Sequence, residues 1–110
     1  MSILVLTEED SGREVSVELG DEVRVSLAEN PTTGYRWMLA SMTPGILELE
    51  DASFSPAPGA GVGGGGRRRF SFKARAPGRA SLELHRRTPW ASDEAPTAQF
   101  GWIVTVRKGT

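Results

Sequence analysis

Few side chains in this chain have the types and spacing that covalent chemistry needs. Cysteine is absent and His85 is the single histidine. That excludes a disulfide framework, a thiolate metal site, a redox motif and a cysteine nucleophile, and it rules out a histidine-rich metal site. The alternation around His85 points it outward, opposite Leu82 and Leu84, and no Gly-x-Ser-x-Gly elbow is there to present a serine nucleophile. Acidic residues crowd the first half, yet most stand at alternating positions, as on a charged strand face. No catalytic set, metal site or cofactor is therefore expected. The chemistry left to this chain is recognition.

Three segments could carry it. Asn30-Pro31-Thr32-Thr33-Gly34-Tyr35 is the sharpest. Pro31 fixes its φ at about −65° and pushes Asn30 towards extended geometry. Gly34 allows positive φ, so the chain can turn back sharply. Two stiff hydroxyl side chains, Thr32 and Thr33, lie between them. The expected product is a narrow, rigid, polar tip that loses little entropy on docking. On composition alone it is equally a routine loop, since Asn-Pro and Gly-aromatic pairs are common punctuation. The second segment, Gly61-Val62-Gly63-Gly64-Gly65-Gly66, lacks the Gly-Lys-Ser/Thr of a phosphate loop, and no helix follows it. It either brings bare backbone close to a partner or is a flexible connection. The third is Pro89-Trp90, in a long proline-containing loop. Trp90 is either a binding anchor or a lid folded over the end of the fold. Beside these runs a basic stretch, Arg67-Arg68-Arg69 with Lys73, Arg75, Arg79, Arg86 and Arg87. It suits either phosphate contact or a solvated face.

The elements that must position these segments are strands. Val15, Val17 and Leu19 alternate with polar residues, as do Val23, Val25 and Leu27; Tyr35, Trp37 and Leu39; Leu47 and Leu49, running on to Phe54; Phe70, Phe72, Ala74 and Ala76; Leu82 and Leu84; and Phe100, Trp102, Val104 and Val106. Period two means half-buried strands. With Ile3–Leu6 they make about eight, and no window of helical length shows a 3.6-residue period. Ser11-Gly12, Gly20-Asp21 and Ala76-Pro77-Gly78 read as turns, the first of them hairpin-like. The expectation is an all-β, immunoglobulin-like antiparallel sandwich, a single domain spanning residues 1–110. Trp37 and Trp102 keep strand phase and belong in its core. If the N-terminal segment and its continuation count as one split strand, the three segments fall in the second-to-third, fourth-to-fifth and sixth-to-seventh connections. In immunoglobulin-like order those loops share one end of the sandwich.

Charge is divided along the chain. Residues 1–55 carry 3 basic and 11 acidic side chains, and residues 67–87 carry 8 basic and 1 acidic, although the whole sums to −1. The division is either a local basic face or a set of ion pairs between strands. A pI of about 5.8 argues against a dedicated nucleic-acid binder. No apolar run is long enough for a membrane span or a secretory leader. A cytoplasmic protein is expected as the chain stands, or a periplasmic or secreted one had a leader been removed.

Taken together, the three segments resemble the chagasin family, inhibitors of papain-like cysteine peptidases. That family carries Asn-Pro-Thr-Thr-Gly-aromatic, Gly-x-Gly-Gly and Arg-Pro-Trp motifs, in that order, on three neighbouring loops. Here the first is complete at Asn30–Tyr35. The second fits Gly63, Gly64, Gly65 and Gly66, with Gly61-Val62-Gly63-Gly64 as another register. The third keeps Pro89 and Trp90, but Thr88 stands where the family has arginine, and Arg87 comes one residue early. The resemblance covers Ser11 to Arg107 and implies an eight-stranded immunoglobulin-like sandwich. It implies a wedge that fills the substrate cleft of a papain or cathepsin L-like enzyme. Thr32 and Thr33 would cover the catalytic cysteine, the glycines would line the cleft wall by backbone contact, and Trp90 would stack beside the catalytic histidine. Inhibition would be reversible and competitive, by a monomer, with no nucleic acid or membrane involved. The basic run Arg67–Arg69 is the candidate for a contact that compensates for Thr88. An immunoglobulin-like adhesion or scaffolding module without a peptidase target is the alternative, and a single-strand nucleic-acid binder is the weakest reading.

Overall fold

The computed structural model of the chain describes residues 2–57, 65–88 and 97–108. The alternating segments form eight strands: β1 (Ile3–Leu6), β2 (Glu14–Glu18), β3 (Glu22–Glu29), β4 (Arg36–Met42), β5 (Leu47–Pro56), β6 (Gly66–Ala74), β7 (Gly78–Arg87) and β8 (Ala98–Arg107). They build two four-stranded sheets, ordered β1-β3-β6-β5 and β2-β8-β7-β4. That is the strand order of an immunoglobulin-type sandwich whose first strand is shared between both sheets. The alternation explains the packing. Val23, Val25 and Leu27 of β3 and Phe72 of β6 face Leu82 and Leu84 of β7 and Val104 of β8, and water reaches almost none of them. Each large apolar side chain so buried contributes about 1.5–3 kcal/mol before entropy is charged against it. Trp37 and Trp102 lie in this core, as their phase required.

Three local expectations need correction. The sheets are not wholly antiparallel: β1 runs parallel to β3, and β2 parallel to β8. The chain crosses between sheets after β1 without reversing, so each half of the split strand lies alongside its neighbour. For the same reason Ser11-Gly12 is no hairpin turn. A 3-10 turn at Glu8–Asp10 makes the crossing, and Gly12 donates its amide to the Gly101 carbonyl at 2.7 Å. Leu19, assigned by phase to the buried face, lies beyond the end of β2 and is 42% exposed. A register shift between Leu49 and Asp51 also explains how Leu47 and Phe54, on odd and even positions, serve the same strand.

Two aspartates fasten the turns at the N-terminal end. Asp10 accepts the Thr7 amide at 2.9 Å and pairs with Arg13 at 2.8 Å. The Thr7 amide, more than the guanidinium, holds its carboxyl below the ordinary aspartate value. The amides of Glu18 and then Ser2 do the same for Asp21. A carboxyl whose folded pKa is depressed stabilises the fold above its unfolded value, and that stabilisation fades as pH falls through the folded value. Unfolding midpoints should therefore drop as pH is lowered below about 4. In a urea series from about pH 5 to about pH 2.5, the Asp10→Asn/Asp21→Asn variant should show a flatter dependence than the parent.

Candidate functional site

The segment Asn30–Tyr35 leaves β3, makes a 3-10 turn at Pro31–Thr33 and enters β4. Its own side chains shape it. Asn30 Oδ1 accepts the Thr32 amide at 3.1 Å and the Thr32 hydroxyl at 2.7 Å. The Thr33 hydroxyl donates to the Asn30 carbonyl at 2.8 Å. Gly34 has φ +82°, which a residue with a Cβ seldom adopts. Thr32 and Thr33 are at the surface and Tyr35 is half-buried. Tyr35 precedes β4 rather than opening it. The loop is thus a turned, internally bonded tip, which favours docking at low entropic cost.

Its neck is held by a buried carboxylate. Glu29, the last residue of β3, is 5% exposed. Glu29 Oε2 accepts the Trp37 amide at 2.8 Å, so the residue before the loop grips the residue that follows its exit. The Trp37 indole closes the same neck, donating Nε1–H to the Ala28 carbonyl at 3.0 Å. Arg68 of β6 supplies the countercharge, with Nη2 at 2.7 Å from Glu29 Oε1 and Nε at 3.2 Å from both oxygens. The Arg68 guanidinium also sits over the Phe54 ring, 5.3 Å from its centroid.

The roots of the other two long loops meet this neck. The β5–β6 connection is closed where Ala57 donates its amide to the Gly65 carbonyl at 3.0 Å. Gly65 lies against the first loop: a methyl built there would stand 3.4 Å from the Glu29 carbonyl oxygen. Gly66, by contrast, is already strand, paired with Pro56 on one side and Glu29 on the other. The β7–β8 connection is clasped by Arg86 and Thr97: the Thr97 amide donates to the Arg86 carbonyl at 2.8 Å, and Arg86 Nε donates to the Thr97 hydroxyl at 3.0 Å. The Arg86 guanidinium lies over Trp37, which stacks on Phe100 with centroids 5.0 Å apart. Asn30, Thr33, Tyr35, Gly65, Gly66 and Arg86 line one groove of about 630 Å³ between the roots.

Among the expected site residues, Asn30, Pro31, Thr32, Thr33, Gly34, Tyr35, Gly65 and Gly66 are therefore gathered at one end of the sandwich. Arg87 ends β7 opposite Arg36, on the face away from Trp37. Thr88 follows it, with a buried hydroxyl that has no hydrogen-bond partner among the described residues. Gly63, Gly64, Pro89 and Trp90 lie outside the described residues. Four residues of the basic stretch form ion pairs within the fold. Arg67 reaches Glu8 at 3.1 Å, Arg68 reaches Glu29, Arg75 reaches Glu48 at 3.2 Å, and Arg79 reaches Glu14 at 2.9 Å. Arg67 and Arg68 are thus spent inside the fold, while Arg69 is exposed and donates to the Ser55 hydroxyl at 3.2 Å. His85 faces outward and bonds Glu83.

Sequence reasoning named Arg68 only as part of a basic run open to a partner, and missed its pairing with Glu29. A signal was present. Glu29 continues the buried phase of Val23, Val25 and Leu27, and Arg68 continues that of Phe70 and Phe72. An acid and a base, each in the inward phase of its own strand, are candidates for pairing.

The chain can be set beside known proteins on this footing. It is 25% identical over 107 residues to Amoebiasin-2 of Entamoeba histolytica, covering 96% of this chain and 87% of that one. Its fold matches the crystal structure of the cysteine protease inhibitor EhICP2 from Entamoeba histolytica, with a TM-score of 0.85, 24% identity and 96% of each chain covered. It also matches PbICP-C, solved in complex with falcipain-2, with a TM-score of 0.60, 21% identity, and 97% of this chain and 100% of that chain covered. Residues 16–104 match the chagasin family peptidase inhibitor I42, most of the sandwich and all three loops. The chain belongs to the chagasin family of peptidase inhibitors.

Proposed function

We propose that this protein is a reversible, competitive inhibitor of papain-like cysteine peptidases and not an enzyme, and that it works by filling the substrate cleft with three loops. The observation that carries this reading is the meeting of three loop roots around one groove, in a chain of the chagasin family. The proposed contacts are Asn30, Pro31, Thr32, Thr33, Gly34 and Tyr35 on the first loop. Gly63, Gly64, Gly65 and Gly66 follow on the second, and Arg87, Thr88, Pro89 and Trp90 on the third.

The geometry of the first loop supports a block that resists cutting. A peptidase cleaves a segment it can draw out in extended form. Here Asn30 Oδ1, the Thr33 hydroxyl and the positive φ of Gly34 hold the tip in a turn. Thr32 and Thr33 would occupy the space above the catalytic cysteine without offering an extended scissile bond. The glycines would let backbone approach the cleft wall, and Trp90 would supply an aromatic anchor. Nothing in this mechanism forms a covalent bond, so inhibition reverses on dilution. PbICP-C, which has the same fold and was solved on falcipain-2, supports the use of this scaffold against a peptidase.

The test is a steady-state titration against papain and a cathepsin L-like enzyme. Competitive inhibition with Ki below about 1 µM is expected, as for a pre-organised interface of ordinary size. The absence of inhibition at tenfold that concentration, by a protein shown to be folded, would refute the reading.

A further inference from the structure

Arg67 and Arg68 are consecutive in β6, so alternation sends them to opposite faces of one sheet. Each ends on a carboxylate that also holds backbone at the root of the first loop. On the outer face, Arg67 Nη2 reaches Glu8 Oε1 at 3.1 Å and the Ser26 carbonyl at 2.7 Å, while Glu8 Oε2 accepts the Ala28 amide at 3.1 Å. On the inner face, Arg68 forks onto Glu29, and Glu29 accepts the Trp37 amide. Ala28, Glu29 and Trp37 are the stumps of the Asn30–Tyr35 loop. Gly66, one residue before Arg67, is where the glycine segment re-enters the sheet.

A buried ion pair is a poor source of stability, since an apolar pair of equal volume often serves the fold as well or better. What the pair supplies is direction. A guanidinium fork on a carboxylate fixes distance and plane together. Such a pair at the junction of two binding loops sets their angle, and a small rotation at the neck becomes a large displacement at the tip.

We propose that Glu29 and Arg68, backed on the outer face by Glu8 and Arg67, are positioning residues for inhibition: they lock the Thr32–Thr33 tip to the root of the glycine loop, so that both loops meet the peptidase in one preset geometry. This rests on the inhibitor reading above. None of the four needs to touch the peptidase. Their effect is to keep the binding-competent arrangement the dominant one.

The experiment compares the unaltered protein with Glu29→Gln/Arg68→Met and with Arg68→Lys, measuring melting temperature and Ki against papain. The carboxamide oxygen introduced by Glu29→Gln can still accept the Trp37 amide, and the methionine of Arg68→Met fills the space of the arginine stem beside Phe54. The double variant should melt within a few degrees of the parent while its Ki rises about tenfold or more, the loss expected when the competent arrangement falls to a tenth of the population. Arg68→Lys keeps the charge without the fork, and its Ki should rise by a smaller factor, about threefold. A merely structural pair would move the melting temperature and leave Ki alone. Unchanged Ki in a folded double variant would overturn the proposal. If the double variant does not fold, Arg68→Lys decides, and a Ki equal to the parent's overturns it. Failure of the unaltered protein to inhibit would instead refute the inhibitor reading, and the positioning role with it.

Discussion

Arg68→Ala is expected to lower the unfolding free energy by about 3–5 kcal/mol, the cost of leaving a buried charge without its partner. The partner is Glu29, whose side chain is only 1% exposed and which cannot turn to water without releasing the Trp37 amide. The melting temperature should fall on the order of 15 °C. The neighbouring change Arg69→Ala is the internal control. Arg69 is exposed and bonds a serine hydroxyl, so its loss should change stability by less than about 0.5 kcal/mol. Urea unfolding of the two variants checks this, with the midpoint shifting for Arg68→Ala and staying in place for Arg69→Ala. Equal midpoints would mean that water solvates Glu29 as readily as Arg68 does.

The second large effect is expected at Gly66. A methyl built there would overlap the Ser55 carbonyl oxygen, lie 2.7 Å from Phe54 Cζ and 2.8 Å from Pro56 Cα. Ser55 and Pro56 are backbone of the adjoining strand, so they can yield only by opening the β5–β6 ladder. Gly66→Ala should therefore cost about 3 kcal/mol or more, the upper end for overpacking. Gly65→Ala places its methyl 3.4 Å from the Glu29 carbonyl, an ordinary contact, and should leave the fold close to its original stability. Thermal unfolding of both variants separates the two roles. Within the glycine motif, Gly66 is thus required by the sandwich, whereas Gly65 lies close to the first loop and still leaves room for a methyl.

Much of this was legible in the chain, and the reasons are specific. Seven alternating segments and the apolar run Ile3–Leu6 became eight strands, because period-two burial is written directly into residue order. The shared end of the three loop roots followed from strand order alone. What alternation cannot express is the identity of a cross-strand neighbour. Arg68 and Glu29 lie 39 positions apart and meet only because β6 pairs with β3 in one register. The parallel pairings of β1 and β2 were hidden for a similar reason: a strand that changes sheets without reversing has the same local pattern as one that turns back. The register shift after Leu49 changes which residues face inward without leaving a glycine or proline to mark it. In residue order the Arg67–Arg69 run is a single basic feature. Alternation sends Arg68 to the inner face and Arg67 and Arg69 to the outer, where Arg67 bonds Glu8 and Arg69 stays exposed.

As an inhibitor, the protein puts one end of its sandwich into a peptidase cleft. The most direct measurement of this is calorimetric binding to papain, with the cleft empty and with the cleft filled by a peptidyl covalent inhibitor on the catalytic cysteine. One-to-one binding to the empty enzyme is expected, with recovery of the uncut protein from the complex and loss of at least about 4 kcal/mol of binding, or a thousandfold, when the cleft is filled. Equal affinity for the empty and the filled enzyme would contradict occupation of the cleft.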